Sequence, residues 1–132
     1  MSIQPLPYRV LMVEDNEELG ETFRFGLKQI GINADLAPTG EEAIEYIHQV
    51  QPDLVLLDLN LPGMSGWDVL DNIRQRYGEP SVPIIVASAF SDDTNRIVGR
   101  LHYVRRYLVK PFTFDQLFKA VEDVLELYKV SV

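Results

Sequence analysis

Residues 54–57, Leu-Val-Leu-Leu, form an uninterrupted apolar run bounded by Pro52 behind and Pro62-Gly63 ahead. A short continuous apolar run between turn signals reads as a strand covered on both faces, the situation of a parallel sheet. Asp58 follows at once. A carboxylate rarely closes a buried run unless something pairs with it, because an isolated charge away from water is strongly disfavoured. In open α/β sheets, ligands bind just beyond the carboxyl ends of the strands. Asp58 is therefore either an acid that merely opens a loop or part of a site. The other strands decide between the two.

The same pattern recurs along the chain. Arg9-Val10-Leu11-Met12-Val13 runs into Glu14-Asp15, and Pro83-Ile84-Ile85-Val86-Ala87 ends at Ser88-Ala89. Tyr107-Leu108-Val109 ends at Lys110-Pro111, and residues 32–37 make a shorter, more polar strand suited to a sheet edge. Helical patterns alternate with these strands. Asn16 caps a first helix with Glu17 and Glu18 in its opening turn, Leu19, Phe23, Leu27 and Ile30 recurring at helical spacing, and Gly31 as the stop. Thr39-Gly40-Glu41-Glu42 is a capping box before Ala43, Ile44, Ile47 and Val50. Ser65 caps a third helix with Leu70, Ile73 and Tyr77 inward. Ser91 opens a fourth through Ile97, Val98 and Leu101. Thr113 and Gln116 form a second capping box before Leu117, Val121, Val124, Leu125 and Tyr128. Strand and helix alternate five times, which demands a parallel sheet with right-handed crossovers and helices on both faces.

Composition narrows the function. A chain of 132 residues with 46% hydrophobic content holds one ordinary domain. It has no cysteine, hence no disulfide framework and no thiol chemistry. The first seven residues lack the basic start and apolar core of a signal peptide, and no apolar run approaches a membrane span. A net charge of −8 argues against direct nucleic-acid binding. These features point to a soluble cytoplasmic protein.

In a parallel sheet Glu14, Asp15, Asp58, Ser88 and Lys110 gather at one edge. A pair of carboxylates about 4 Å apart repels by about 4 kcal/mol at an effective dielectric near 20. A divalent cation relieves that repulsion. Oxygen donors without His or Cys select a hard ion, so the acids point to Mg²⁺, with Mn²⁺ as a substitute. Lys110 is a mobile charge for a phosphoryl oxygen, and Ser88 offers a hydroxyl to another. Asp58 is then the nucleophile of a phosphoryl transfer.

These residues, at these strand ends, make the chain similar to response-regulator receiver domains from about Tyr8 to Tyr128. The resemblance implies a flavodoxin-like, doubly wound (βα)5 fold with a five-stranded parallel sheet in the order 2-1-3-4-5. It implies a receiver over residues 8–129, an arm over 1–7 and a tail over 130–132. By position, Asp58 is the phosphoacceptor and Asp15 a direct Mg²⁺ ligand. Glu14 acts on the ion through water, and the backbone carbonyl of Asn60 completes the set. Ser88 is the switch hydroxyl, Tyr107 the rotating aromatic, and Lys110 the family's lysine, joined to Pro111 by a cis peptide. Asn60 and Phe90 flank the path of the water that removes the phosphoryl group. The donor is a phosphohistidine on a sensor histidine kinase or histidine phosphotransfer domain.

The output is a protein-binding face made by the fourth helix, fifth strand and last helix. Tyr103-Val104-Arg105-Arg106 departs from the Gly-Ala-acid-acid run frequent in the family, so the fourth helix lacks its usual stop. Arg96, Arg100, Arg105 and Arg106 give that face a basic rim, serving either an acidic partner or the acids Asp115, Glu122, Asp123 and Glu126 of the last helix. Two other classes compete. A phosphohydrolase working through an aspartyl-phosphate needs an acid two residues after the nucleophile, where Asn60 stands. A flavodoxin-like cofactor binder needs a phosphate loop after the first strand, where Glu14-Asp15 would repel a phosphate. With no output domain after the last helix, the chain reads as a free-standing regulator. The alternative is a receiver from a larger regulator or hybrid kinase.

Overall fold

The structure, a computed structural model, describes residues 8–77, 82–89 and 104–130, with the side chains of 77 and 126–130 outside that description. The arm over 1–7, Phe90, the helix expected at 91–101 with Arg96 and Arg100, the side chains of Tyr77, Glu126 and Tyr128, and residues 131–132 of the tail lie outside the described residues.

Five strands form one parallel sheet: β1 (Arg9–Val13), β2 (Asn33–Ala37), β3 (Leu54–Asp58), β4 (Ile84–Ser88) and β5 (Val104–Val109), in the order β2-β1-β3-β4-β5. The described helices are α1 (Glu17–Gln29), α2 (Gly40–Gln49), α3 (Gly66–Tyr77) and α4 (Phe114–Val130). The capping signals act as the sequence implies. Asn16 Oδ1 accepts from the Leu19 N–H and Thr39 Oγ1 from the Glu42 N–H. Ser65 Oγ accepts from the Asp68 N–H, while Thr113 and Gln116 satisfy each other's backbone N–H groups. The last helix runs through Val130, the first residue of the expected tail.

Alternation along the central strands divides the core in two. Leu11, Val13, Val55, Leu57, Ile84 and Val86 face α2 and α3. Val10, Met12, Leu54, Leu56, Ile85 and Ala87 face α1 and α4. β1, β3 and β4 are thus covered on both sides, which is why their sequences read as unbroken apolar runs. Between α1 and α4, Phe23 stacks on Phe112 with ring centroids 5.2 Å apart. Gly26 leaves the room that the Phe114 ring occupies; a Cβ there would collide with it.

Two sequence expectations need correction. Ile30 does not face the core: it is the C-cap of α1 and 40% exposed, because the chain leaves the helical path there and turns through Gly31 at φ +86°. The fifth strand begins at Val104, not Tyr107, so Arg105 and Arg106 are strand residues. The register against β4 skips Arg105, Ile84 pairing with Val104 and Ile85 with Arg106. This irregularity, on a strand at the end of the sheet order, accommodates two adjacent exposed arginines.

Candidate functional site

The site is built by backbone rungs that continue the sheet one step past its strands. Glu14 N–H donates to Ala37 O at 3.1 Å, Leu59 N–H to Ala87 O at 3.0 Å, and Lys110 N–H to Ser88 O at 2.8 Å. Strand ends far apart in sequence are thereby fixed side by side. Carboxylate oxygens of Glu14, Asp15 and Asp58 all lie within 4.8 Å of one another. Glu14 and Asp58 are buried, and Asp15 is exposed.

Lys110 joins the edge strand to this acidic group. Its Nζ donates to Glu14 Oε1 and to Asp58 Oδ2, both at 2.8 Å. Burial alone would lower the Lys110 pKa, but the two carboxylates outweigh it and raise the pKa above the ordinary lysine value. Burial raises Glu14 above the usual carboxylate range, against the opposing pull of Lys110. An oxygen-only set of three acids beside one ammonium fits a hard divalent ion, which would replace the lysine as the neutralising charge.

The other oxygen of Asp58, Oδ1, accepts from the Asn60 N–H at 2.8 Å. Asn60 Oδ1 in turn accepts from Ser88 Oγ at 3.0 Å and from the Ala89 N–H at 3.3 Å. This side-chain bridge from the loop after β3 to the end of β4 was not foreseen; the sequence offers only an Asn in a loop. Gly66 was likewise overlooked. It packs against the backbone of Asp58 and Leu59, where a Cβ would stand 2.6 Å from Leu59 Cα, and its N–H donates to Leu59 O. A Pro-Gly loop that must return to its own strand is the available sequence signal for it.

Tyr107 lies within β5 and packs, half-buried, on the α2/α3 side of the sheet. The Lys110–Pro111 peptide is cis. An apolar hollow of about 350 Å³ opens beside Lys110, lined among the described residues by Leu19, Phe23, Ala89, Pro111 and Phe112. Arg106 lies 3.8 Å from Asp123 of α4, in keeping with the internal pairing considered for the arginines. No described helix is long and apolar enough to cross a membrane.

Comparison with known proteins agrees with this geometry. The family model described as response regulator receiver domain matches residues 10–122. The chain is 33% identical over 124 residues to the phosphate regulon transcriptional regulatory protein PhoB of Rhizobium meliloti, covering 94% of this chain and 55% of that protein. It is 36% identical over 116 residues to the sensory transduction protein RegX3 of Mycobacterium tuberculosis, covering 88% of this chain and 50% of that protein. It spans about half the length of these two curated relatives. A response regulator receiver protein from Pseudomonas putida superposes with a TM-score of 0.81 at 31% identity, covering 91% of this chain and 99% of that one. With the sheet order, the acidic group and the lysine all in agreement, the chain belongs to the response regulator receiver domain family, the signalling modules of two-component systems.

Proposed function

We propose that this protein accepts a phosphoryl group on Asp58 and thereby switches a protein-binding surface. The observation that carries the reading is the buried Asp58 carboxylate, held by Lys110 on one oxygen and the Asn60 N–H on the other, beside Glu14 and Asp15. A carboxylate oxygen attacks the phosphorus of a phosphohistidine, the P–N bond breaks, and the imidazole takes up a proton as it leaves. The product is an aspartyl-phosphate. Lys110 moves its positive charge from the carboxylates to a phosphoryl oxygen, and Ser88 donates its hydroxyl to another. Asp15 and Asp58, with the Asn60 backbone carbonyl and, through water, Glu14, would hold Mg²⁺ or Mn²⁺. Such an ion would supply positive charge to offset that of the transferring group.

The donor is a sensor histidine kinase or histidine phosphotransfer domain in the cytoplasm, and the apolar hollow beside Lys110 accommodates part of its docking surface. The output is read by another protein at the face carrying β5, Tyr107, Arg105 and Arg106. With a net charge of −8, this chain is ill suited to nucleic acid. Asn60 in place of an acid disfavours turnover of a separate phosphate ester.

The test is exposure to acetyl phosphate and Mg²⁺ followed by intact-mass spectrometry. Wild type gains one phosphate and Asp58→Asn gains none, since an amide is a poor nucleophile. Labelling of the variant to a comparable extent would overturn the assignment.

A further inference from the structure

Asn60 engages three residues, Asp58 on its own strand end and Ser88 and Ala89 on the next. Its backbone N–H holds Asp58 Oδ1, while its side-chain oxygen accepts from Ser88 Oγ and the Ala89 N–H. Ser88 is 1% exposed, whereas Asn60 is exposed, so a buried hydroxyl is engaged by an amide reaching across from the loop after the neighbouring strand. A serine hydroxyl has one proton to donate. A phosphoryl group on Asp58 brings three strong acceptor oxygens to the end of β3, where Asp58 pairs with Ala87, next to Ser88. That single proton cannot serve Asn60 and the phosphoryl group together.

We infer that the Asn60 side chain is a latch that holds Ser88 and Ala89, at the end of β4, in the unphosphorylated arrangement. The inference rests on the phosphoacceptor reading of Asp58 and adds the residue that opposes the switch. Asn60 acts through Ser88 and is a positioning residue. Removing its amide takes away a polar group from the site yet favours the switched state, because Ser88 no longer has to give up the Asn60 oxygen. One hydrogen bond of net strength typical in proteins corresponds to about a two- to tenfold change in affinity for the switched state.

Beryllofluoride with Mg²⁺, titrated by the fluorine NMR signal of the bound form, mimics the phosphoryl group without turnover. The proteins are wild type, Asn60→Ala, Ser88→Ala and the double variant, with Asn60→Ser, too short to reach Ser88, as a second removal of the amide. Asn60→Ala and Asn60→Ser should each bind about two- to tenfold more tightly than wild type. In the Ser88→Ala background Asn60→Ala should give a clearly smaller gain, the remainder coming from the Ala89 N–H, which is the signature of an effect transmitted mainly through the hydroxyl. Equal or weaker binding by both Asn60 variants overturns the latch, as does an undiminished gain in the Ser88→Ala background. Wild type that neither binds beryllofluoride nor gains phosphate from acetyl phosphate overturns the phosphoacceptor reading itself, and the latch falls with it.

Discussion

At the scale of residues, charge placement governs the site. Lys110 is the neutralising partner of two buried carboxylates, so its removal leaves both exposed to each other's repulsion. Lys110→Met should lower stability by about 1–3 kcal/mol in the presence of chelator. Added Mg²⁺ should stabilise the variant more than wild type, since the ion takes over the missing charge. Thermal unfolding with and without Mg²⁺ checks this, and an equal shift for both proteins would show the lysine to be dispensable for apo stability. Away from the site, Tyr46 of α2 donates its hydroxyl to Asp35 of β2. Burial and that acid push the phenol's pKa well above its ordinary value. The unfolded phenol therefore ionises first as the solution becomes alkaline, near pH 10. The contribution of Tyr46 to stability is full below that pH and is lost as pH rises toward the folded value. Tyr46→Phe should cost about 0.5–1.5 kcal/mol at neutral pH, with the deficit shrinking above about pH 10. Urea unfolding at both pH values measures the difference; a deficit that does not shrink would rule out the phenolic proton as its source.

At the scale of elements, caps and strands were legible in the sequence because their causes are local. Asn16, Thr39, Ser65 and the Thr113–Gln116 pair each satisfy a backbone group a few residues away, and the apolar runs of β1, β3 and β4 report cover on both faces. The grouping of Glu14, Asp15, Asp58 and Lys110 was legible as well, since a parallel sheet brings such strand ends to one edge. What escaped depends on non-local geometry. The start of β5 was hidden because Arg105 and Arg106 are tolerated only by an edge strand with a skipped pairing. The exposure of Ile30 follows from a turn that departs from helical periodicity one residue too early. The Asn60–Ser88 contact joins a loop to a strand end 28 residues away. Gly66 escaped for the same reason and carries its own expectation. A methyl group there must displace the Asp58–Leu59 backbone, so Gly66→Ala should destabilise by about 1–3 kcal/mol and slow labelling by acetyl phosphate. Wild-type stability and labelling rate in that variant would show the loop to be slack.

At the scale of the whole molecule, the sheet is stiff at its centre and soft at its β5 margin. Residues of β1, β3 and β4 are almost wholly enclosed between the two cores, whereas β5 carries no fully buried residue. Amide hydrogen exchange should follow that gradient, with β3 slowest and β5 opening at a fraction of the global free energy. Equal protection of the two strands would contradict it. Lys110 sits where this gradient is steepest. It belongs to the soft edge by its backbone and to the stiff centre by its ammonium, which reaches past the end of β4 to β3 and β1. The outermost strand is thus moored to the centre of the sheet by the electrostatic line of Lys110. On the phosphoacceptor reading, a change in the charge that the centre presents to that line would shift the mooring point itself, so that an event confined to one carboxylate oxygen would become a change of tension in the edge strand.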